Sequence, residues 1–154
     1  MPQSRDKTAQ RLLEVNMLVM RSLSAEMRRD HQGLTPMHVG LLTKIDAGET
    51  NLSDLAAHLS VRLPTISKSI KLLVERGWVE RWVPEDNRRL TMVSLTAEGR
   101  RELAGMKKRA VNHVAGLLGS LTRTERSSVD SALTLLCEIL AKHARTKDSN
   151  EVKT

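Results

Sequence analysis

The sequence predicts a mainly α-helical fold that carries one small β-hairpin. Apolar residues recur at spacings of three and four along most of the 154 residues, which is the helical period. Residues 78–83 and 90–95 are instead rich in Val, Trp, Thr and Leu and flank a polar segment at 84–89, a pattern typical of a hairpin. Strands and helices do not alternate along the sequence, so a nucleotide-binding α/β fold is not expected.

The first helix is predicted over residues 11–27, where apolar residues form two stripes rather than one. One stripe runs through positions 12, 15, 19 and 23, and the other runs through positions 13, 17, 20 and 27. A helix that is apolar on two faces needs two packing partners, and we expect another subunit to be one of them.

Two short helices follow. Thr35 suits the N-cap of the first and Pro36 its opening position, while Leu34 is placed to pack against Val39. Gly48 ends this helix. For the next helix either Asn51 or Ser53 can serve as the N-cap, and residues 60–63 predict a turn after it.

A fourth helix is predicted over residues 64–76, with Ile66, Ile70, Leu73 and Val74 buried and Gly77 at its end. After the hairpin, Thr96 caps a long helix, and Thr122 with Glu125 forms a capping box for the last helix. Residues 147–154 read as a polar tail.

This order of elements indicates a winged helix-turn-helix embedded in an α-helical dimerisation region. Two short helices joined by a tight turn and followed by a hairpin place the second helix in the DNA major groove. We therefore expect an N-terminal dimerisation helix at 1–34, a DNA-binding domain at 35–99, C-terminal dimerisation helices at 100–146 and the tail at 147–154.

The face of the fourth helix opposite Ile66 is small, polar and cationic. Residues 60–74 include three basic side chains and no acidic one, which suits a surface that approaches phosphates. A merely solvated helix face is the alternative interpretation. We expect Ser67 and Lys71 at base edges and Lys68 at a phosphate. The predicted contacts of this helix are Arg62, Pro64, Thr65, Ser67, Lys68 and Lys71.

Several motifs in residues 51–99 are specific. They are Leu-Ser-Asp-Leu-Ala at 52–56, Pro-Thr-x-Ser at 64–67, Leu-x-x-x-Gly at 73–77, Arg81, an arginine-bearing hairpin tip and Leu-Thr-x-x-Gly at 95–99. With these motifs the stretch resembles the DNA-binding core of the MarR family of bacterial and archaeal transcription regulators. The resemblance implies a homodimer on a pseudo-palindromic site in double-stranded DNA. It also implies a small-molecule effector pocket between the dimer region and each DNA-binding lobe.

The resemblance extends to the hairpin tip, or wing, with one departure. The family pattern Asp-x-Arg falls on residues 87–89, so that Asn87 replaces the acidic residue and Asp86 is an imperfect substitute. We expect Arg89 to read the minor groove, where narrowness concentrates negative potential, and Arg88 to contact phosphates. Ser53 is the predicted contact at the entry to the helix-turn-helix.

Four methionines are candidates for the effector pocket, because methionine adapts to irregular apolar surfaces. Methionine at helical spacing is more often plain core, and that alternative is the stronger one. The candidates are Met17, Met20, Met27 and Met37.

Neither an enzyme nor a cofactor or metal site is expected. The five histidines are dispersed without the spacing of metal ligands. The sequence also has no Ser/His/Asp or Cys/His arrangement, no glycine-rich phosphate loop and no paired-carboxylate motif. The single cysteine, Cys137, excludes an internal disulfide, suits a reducing cytoplasm and is expected to act as a small buried hydrophobe. Charged residues interrupt the apolar stretch 12–23, so no membrane span is expected.

Two functional classes remain. The net charge of +7 suits a polyanionic partner and favours a dimeric, sequence-specific DNA-binding regulator, which we expect to be a repressor released by an effector. The alternative is a winged-helix module that binds proteins without specific DNA binding, since one fold serves several functions.

Overall fold

The computed structural model describes residues 5–30, 33–48 and 50–151, with the backbone alone at residue 30 and at residues 144–151. In this part of the chain the fold is mainly helical with one small antiparallel sheet, as predicted. The elements are α1 (Arg5–Asp30), α2 (Pro36–Asp46), β1 (Thr50–Asn51), α3 (Leu52–His58), α4 (Leu63–Glu75), β2 (Val79–Trp82), β3 (Met92–Leu95), α5 (Ala97–Leu117) and α6 (Arg123–Glu151).

The chain divides into two compact units, Met1–Val114 and Ala115–Thr154. The core of the first unit is built from α2, α3, α4, the sheet and the start of α5. Leu34, Leu41, Leu55, Ile66 and Leu73 are completely buried there, and Val39 packs against the same cluster. The α1 helix is longer than the predicted 11–27, and of its apolar residues Met27 packs against this core.

The predicted helix-turn-helix is formed by α3 and α4. Asn51 rather than Ser53 is the N-cap of α3, because its Oδ1 accepts a hydrogen bond from the Asp54 backbone N–H at 2.9 Å. The turn after α3 places Ser60 at φ 53°, a left-handed conformation that glycine more often supplies. The α4 helix begins at Leu63, one residue before the predicted start.

The end of α4 follows the sequence prediction closely. Gly77 adopts φ +72°, which a side chain would disfavour, and its N–H donates to the Val74 carbonyl at 2.9 Å. The Trp78 N–H donates to the Leu73 carbonyl at 3.0 Å, which completes a Schellman motif. The helix therefore stops at Glu75 and the chain turns into the sheet.

The sheet has three strands in the order β1-β3-β2, all antiparallel. The two predicted strands are shorter than expected, since pairing ends at Trp82 opposite Met92 and leaves residues 83–91 as a loop. The two-residue strand β1 was not predicted, and it pairs Thr50 with Val93. So short a strand depends on tertiary pairing rather than on a sequence pattern.

The second unit contains α6 and the end of α5. The predicted capping box is confirmed, because the Glu125 N–H donates to Thr122 Oγ1 at 3.3 Å and the Thr122 N–H donates to Glu125 Oε2 at 2.8 Å. The backbone of α6 continues to Glu151, into the segment predicted to be a polar tail, and residues 152–154 lie outside the described residues.

Cys137 was expected to be a small buried hydrophobe, and the single chain does not bury it. Its side chain is exposed in the single chain rather than buried. The leucines that were expected to surround it are also uncovered, with Leu133 at 51% and Leu140 at 57% exposure. The stripe was expected to exceed what one chain can cover, so burial of Cys137 would require a second subunit on this helix.

Candidate nucleic-acid interface

The outer face of α4 carries the predicted contacts. Arg62, Pro64, Thr65, Ser67, Lys68 and Lys71 are all exposed. On the opposite side Ile66, Ile70 and Leu73 are buried, together with Ser69, which fixes which face of the helix meets solvent. Pro64, Thr65, Ser67, Lys68 and Lys71 therefore lie on the solvent-exposed part of α4, and Arg62 precedes the helix as its N-cap.

One acidic side chain accompanies the lysines of α4. Lys71 Nζ lies 3.9 Å from Glu75 Oε1 across one helical turn, and both side chains are largely exposed. An exposed pair of this kind contributes about 0–1 kcal/mol and is screened by salt. Lys71 is therefore readily available to another anion.

Asn87 organises the wing in a way that the sequence did not predict. Its Oδ1 accepts a hydrogen bond from the Arg89 backbone N–H at 3.2 Å, and its carbonyl accepts one from the Leu90 N–H at 3.1 Å. Asn87 thus stabilises the backbone of the turn rather than the arginine side chain. Arg88 and Arg89 are exposed, as is Asp86, and within the fully described wing no ion pair joins Asp86 to either arginine.

A cavity of about 170 Å³ lies where α3, α4 and the wing meet. Ser53 from α3, Ser67 from α4 and Arg89 from the wing all line it. From the sequence, Ser53 was predicted to contact DNA at the entry to the helix-turn-helix, Ser67 at a base edge and Arg89 in the minor groove. The structure brings these three separately predicted residues to one cavity. Such a cavity has no sequence signal, because its walls come from three elements.

A larger cavity of about 510 Å³ lies beside the exposed face of α4. Met37 and His38 line it together with Thr65, Lys68 and Lys71. It contains one of the four methionines proposed for an effector pocket. The structure does not bring the other three to it, since Met17 and Met20 are exposed on α1 and Met27 packs on the core.

His38 has a structural role at the start of α2. Its Nδ1 accepts a hydrogen bond from the Thr35 N–H at 3.1 Å and lies 2.9 Å from Thr35 Oγ1. Burial, followed by the positive charge of Arg76, lowers the pKa of His38 below its usual value, so the neutral ring is favoured. The spacing Thr35-x-x-His38 resembles a capping box with His in place of Glu or Gln, and this was the overlooked signal.

Among the described residues, no three His, Cys, Asp or Glu side chains are grouped to hold a metal ion. None of the helices in the described ranges combines the length and the apolarity that crossing a membrane requires.

The α3-turn-α4 unit, the exposed face of α4 and the arginine-bearing hairpin together define a winged helix-turn-helix protein. Residues 32–89 match the sequence model of the MarR family. The uncharacterized HTH-type transcriptional regulator YdgJ of Bacillus subtilis (strain 168) is 30% identical over 112 residues, which are 71% of this chain and 63% of that protein. The chain thus spans less than two thirds of this relative.

Solved structures share the fold. MarR from E. coli in its apo form has a TM-score of 0.72 at 24% identity, with 83% of this chain and 94% of that one covered. Streptococcus pneumoniae FabT, crystallised in complex with DNA, has a TM-score of 0.64 at 20% identity, with 89% and 97% covered. The chain carries a MarR-family domain over residues 32–89 and shares the fold of these two solved structures.

Proposed function

We propose that this chain is a transcription regulator that binds double-stranded DNA in a sequence-specific manner. The observation that carries the proposal is the exposed face of α4, where Lys68 and Lys71 project with no acidic residue before Glu75. Ser67 and Lys71 would contact base edges in the major groove and Lys68 a phosphate, while the wing would contact the adjacent backbone and minor groove.

The uncovered apolar faces of α1 and α6 support a homodimer. Leu13 and Met17 on α1 are 63% and 70% exposed, and Leu135 and Leu140 on α6 are each 57% exposed. Exposed apolar patches of this extent are typical of interaction surfaces. A two-fold dimer would present two α4 helices to a pseudo-palindromic site with half-sites about 10 base pairs apart.

The 510 Å³ cavity supports release of DNA by a small-molecule effector, and hence a repressor. Its lining includes Thr65, Lys68 and Lys71, which are also proposed DNA contacts, so a molecule in the cavity would compete with DNA for the two lysines. Met37 and Leu72 provide apolar walls. Glu75 also lines the cavity, and because the two lysines outnumber this single carboxylate, the lining favours an amphipathic anion as the class of effector.

One observation favours the alternative, a protein-binding module. Trp82 and Val83 are 43% and 52% exposed at the end of the edge strand β2, and an exposed aromatic residue on a sheet edge is typical of protein interfaces. This surface is small compared with the cationic face of α4, so DNA binding remains the first proposal.

A mobility-shift assay with random and genomic duplex pools separates the two functions. Repeated selection should enrich one pseudo-palindromic sequence that is bound at least about 10³-fold more tightly than random duplex. Equal binding to every duplex, or none, would contradict sequence-specific regulation and leave the protein-binding module. Selection at a fixed salt concentration is essential, because nonspecific affinity depends steeply on salt.

A further inference from the structure

Ser22 and Glu26, one turn apart on α1, both contact His113 on α5. The Ser22 hydroxyl lies 2.6 Å from His113 Nε2, and Glu26 Oε2 lies 3.7 Å from His113 Nδ1. We propose that His113 is a positioning residue for DNA binding, because it fixes α5 on α1 and thereby sets where the dimer places its two α4 helices. This proposal rests on the proposed function and adds to it a residue outside the DNA-binding surface. We call Ser22, Glu26 and His113 the α1–α5 tie.

The chemistry of the tie suits a fixed contact. A carboxylate beside Nδ1 favours the ring proton on that nitrogen, which leaves Nε2 to accept a hydrogen bond from the Ser22 hydroxyl. Arg29 Nη1 lies 3.9 Å from the same Glu26 oxygen, so a cation and the imidazole both hold this carboxylate. The side chains of His113 and Glu26 are 23% and 34% exposed. This partial burial reduces the solvent screening that weakens surface contacts.

The α5 helix connects the tie to the end of α4. At its start the Thr96 hydroxyl donates to the Gly77 carbonyl at 2.7 Å, and Gly99 lies so close to Trp78 that a Cβ atom would overlap the Trp78 carbonyl oxygen. From Gly99 to His113 the chain is continuous helix, about 21 Å long. Packed helices carry displacements as rigid elements. A change in how α5 sits on α1 would therefore displace the end of α4.

The other end of this connection is the proposed dimer surface of α1. Leu13 and Met17 are 63% and 70% exposed there. At 100° per residue, Ser22 lies about half a turn around the helix from Leu13, so the tie and this apolar surface occupy different sides of α1. The tie thus joins the helix that would hold the partner subunit to the helix that supports α4. Both contacts of the tie lie within the first compact unit.

The spacing between half-sites tests the positioning role. One added base pair moves a half-site by about 3.4 Å along the duplex and turns it by about 34°. A dimer with fixed α4 helices should bind its selected duplex at least about tenfold more tightly than duplexes with one base pair added or removed. His113→Ala should lose about tenfold on the selected duplex, because one tie is lost in each subunit, and its spacing penalty should fall to about threefold or less.

A single half-site and a matched control complete the experiment. On a duplex with one half-site randomised, His113→Ala should bind within about twofold of the parent, since each DNA-binding lobe is intact. Adding Ser22→Ala to His113→Ala should change the affinity by less than about twofold, because the two residues share one contact. Asn112→Ala changes the exposed neighbour on α5 and should keep the parental spacing preference. Ser22→Ala alone removes one hydroxyl group and should reduce the spacing penalty by about half, so the test stands even if His113→Ala does not fold.

The outcomes distinguish the two proposals. If the parent enriches no duplex, the proposed function fails and the positioning role fails with it. If a duplex is enriched but Ser22→Ala and His113→Ala keep the parental spacing penalty, the positioning role alone is overturned. An equal loss on the full duplex and on the single half-site would also overturn it, because the effect of His113 would then lie inside one DNA-binding lobe.

Discussion

The hydroxyl of Thr96 donates a hydrogen bond to the carbonyl oxygen of Gly77 at 2.7 Å. The hydroxyl oxygen of Thr96, Oγ1, accepts a hydrogen bond from the Gly99 N–H at 2.9 Å, and the Thr96 backbone N–H donates to the Trp78 carbonyl at 3.1 Å. One residue therefore caps α5 and joins its start to the turn that ends α4. This junction fixes the end of the proposed recognition helix against the base of the wing.

Replacing Thr96 by Val should lower the free energy of unfolding by about 0.5–2 kcal/mol, the usual value for losing an N-cap side chain. The shape is kept while both hydroxyl hydrogen bonds are lost. Urea denaturation measures the change. Thr96→Ser, which keeps the hydroxyl group, should be close to the parent, and equal losses in the two variants would contradict the role of the hydroxyl.

The close approach of the Trp78 backbone requires a glycine at position 99. A Cβ atom at this position would overlap the carbonyl oxygen of Trp78, which is backbone and cannot move aside easily. Gly99→Ala should therefore destabilise the protein by about 1–3 kcal/mol, as overpacking does. Gly116→Ala is the control, since a Cβ there meets nothing within 4 Å. A Gly99→Ala variant as stable as Gly116→Ala in thermal unfolding would refute the close approach.

The sequence predicted the helix ends well because their signals are local. Thr96 and Gly77 are separated along the chain, yet each already has a local signal as a cap or a helix stop. Thr122 with Glu125 is likewise a four-residue pattern. The outer face of α4 follows from helical period alone, which is why its exposed residues could be predicted together.

The remaining features arise from tertiary contacts. Strand β1 is two residues long and exists through its pairing with β3. The cavity that contains Ser53 and Arg89 has walls from three elements, and no single stretch encodes it. The methionines proposed for an effector pocket have different surroundings, since Met37 lines the 510 Å³ cavity and Met27 packs against the core, and helical spacing alone does not encode this difference.

The lowered pKa of His38 should make stability depend on pH. Because the folded pKa lies below the unfolded value near 6.5, the unfolded state takes up a proton first as the pH falls. Stability should be highest above pH ~7 and should decrease as the pH falls through about 6.5, levelling off only below the folded pKa. Unfolding by urea between pH 5 and pH 8 measures this dependence.

His38→Gln is the matched variant for this dependence. Glutamine at this position completes the capping-box pattern with Thr35 but does not titrate. The variant should be less sensitive to pH between 5 and 7 than the parent. An identical pH dependence in the two proteins would mean that another group causes it.

The proposed dimer depends on the apolar face of α6. Leu133→Glu places a charge on that face, where the leucine is 51% exposed in the single chain, and should shift sedimentation toward the monomer. Ser131→Glu adds the same charge to an exposed position two residues away, on another side of the helix, and should leave the dimer intact. A folded monomer of the parent at micromolar concentration would contradict the dimer.

The central claim is that the exposed face of α4 binds DNA phosphates, and the salt dependence of Lys68→Ala tests it most directly. On the selected duplex, the slope of log affinity against log salt should fall by about 1.8 in magnitude relative to the parent, because one phosphate contact worth about 0.9 is lost in each of the two α4 helices of the proposed dimer. Lys107→Ala, which removes an exposed charge from α5, is the control and should keep the parental slope. A Lys68→Ala variant with the parental slope and affinity would contradict the assignment of α4 as the recognition helix.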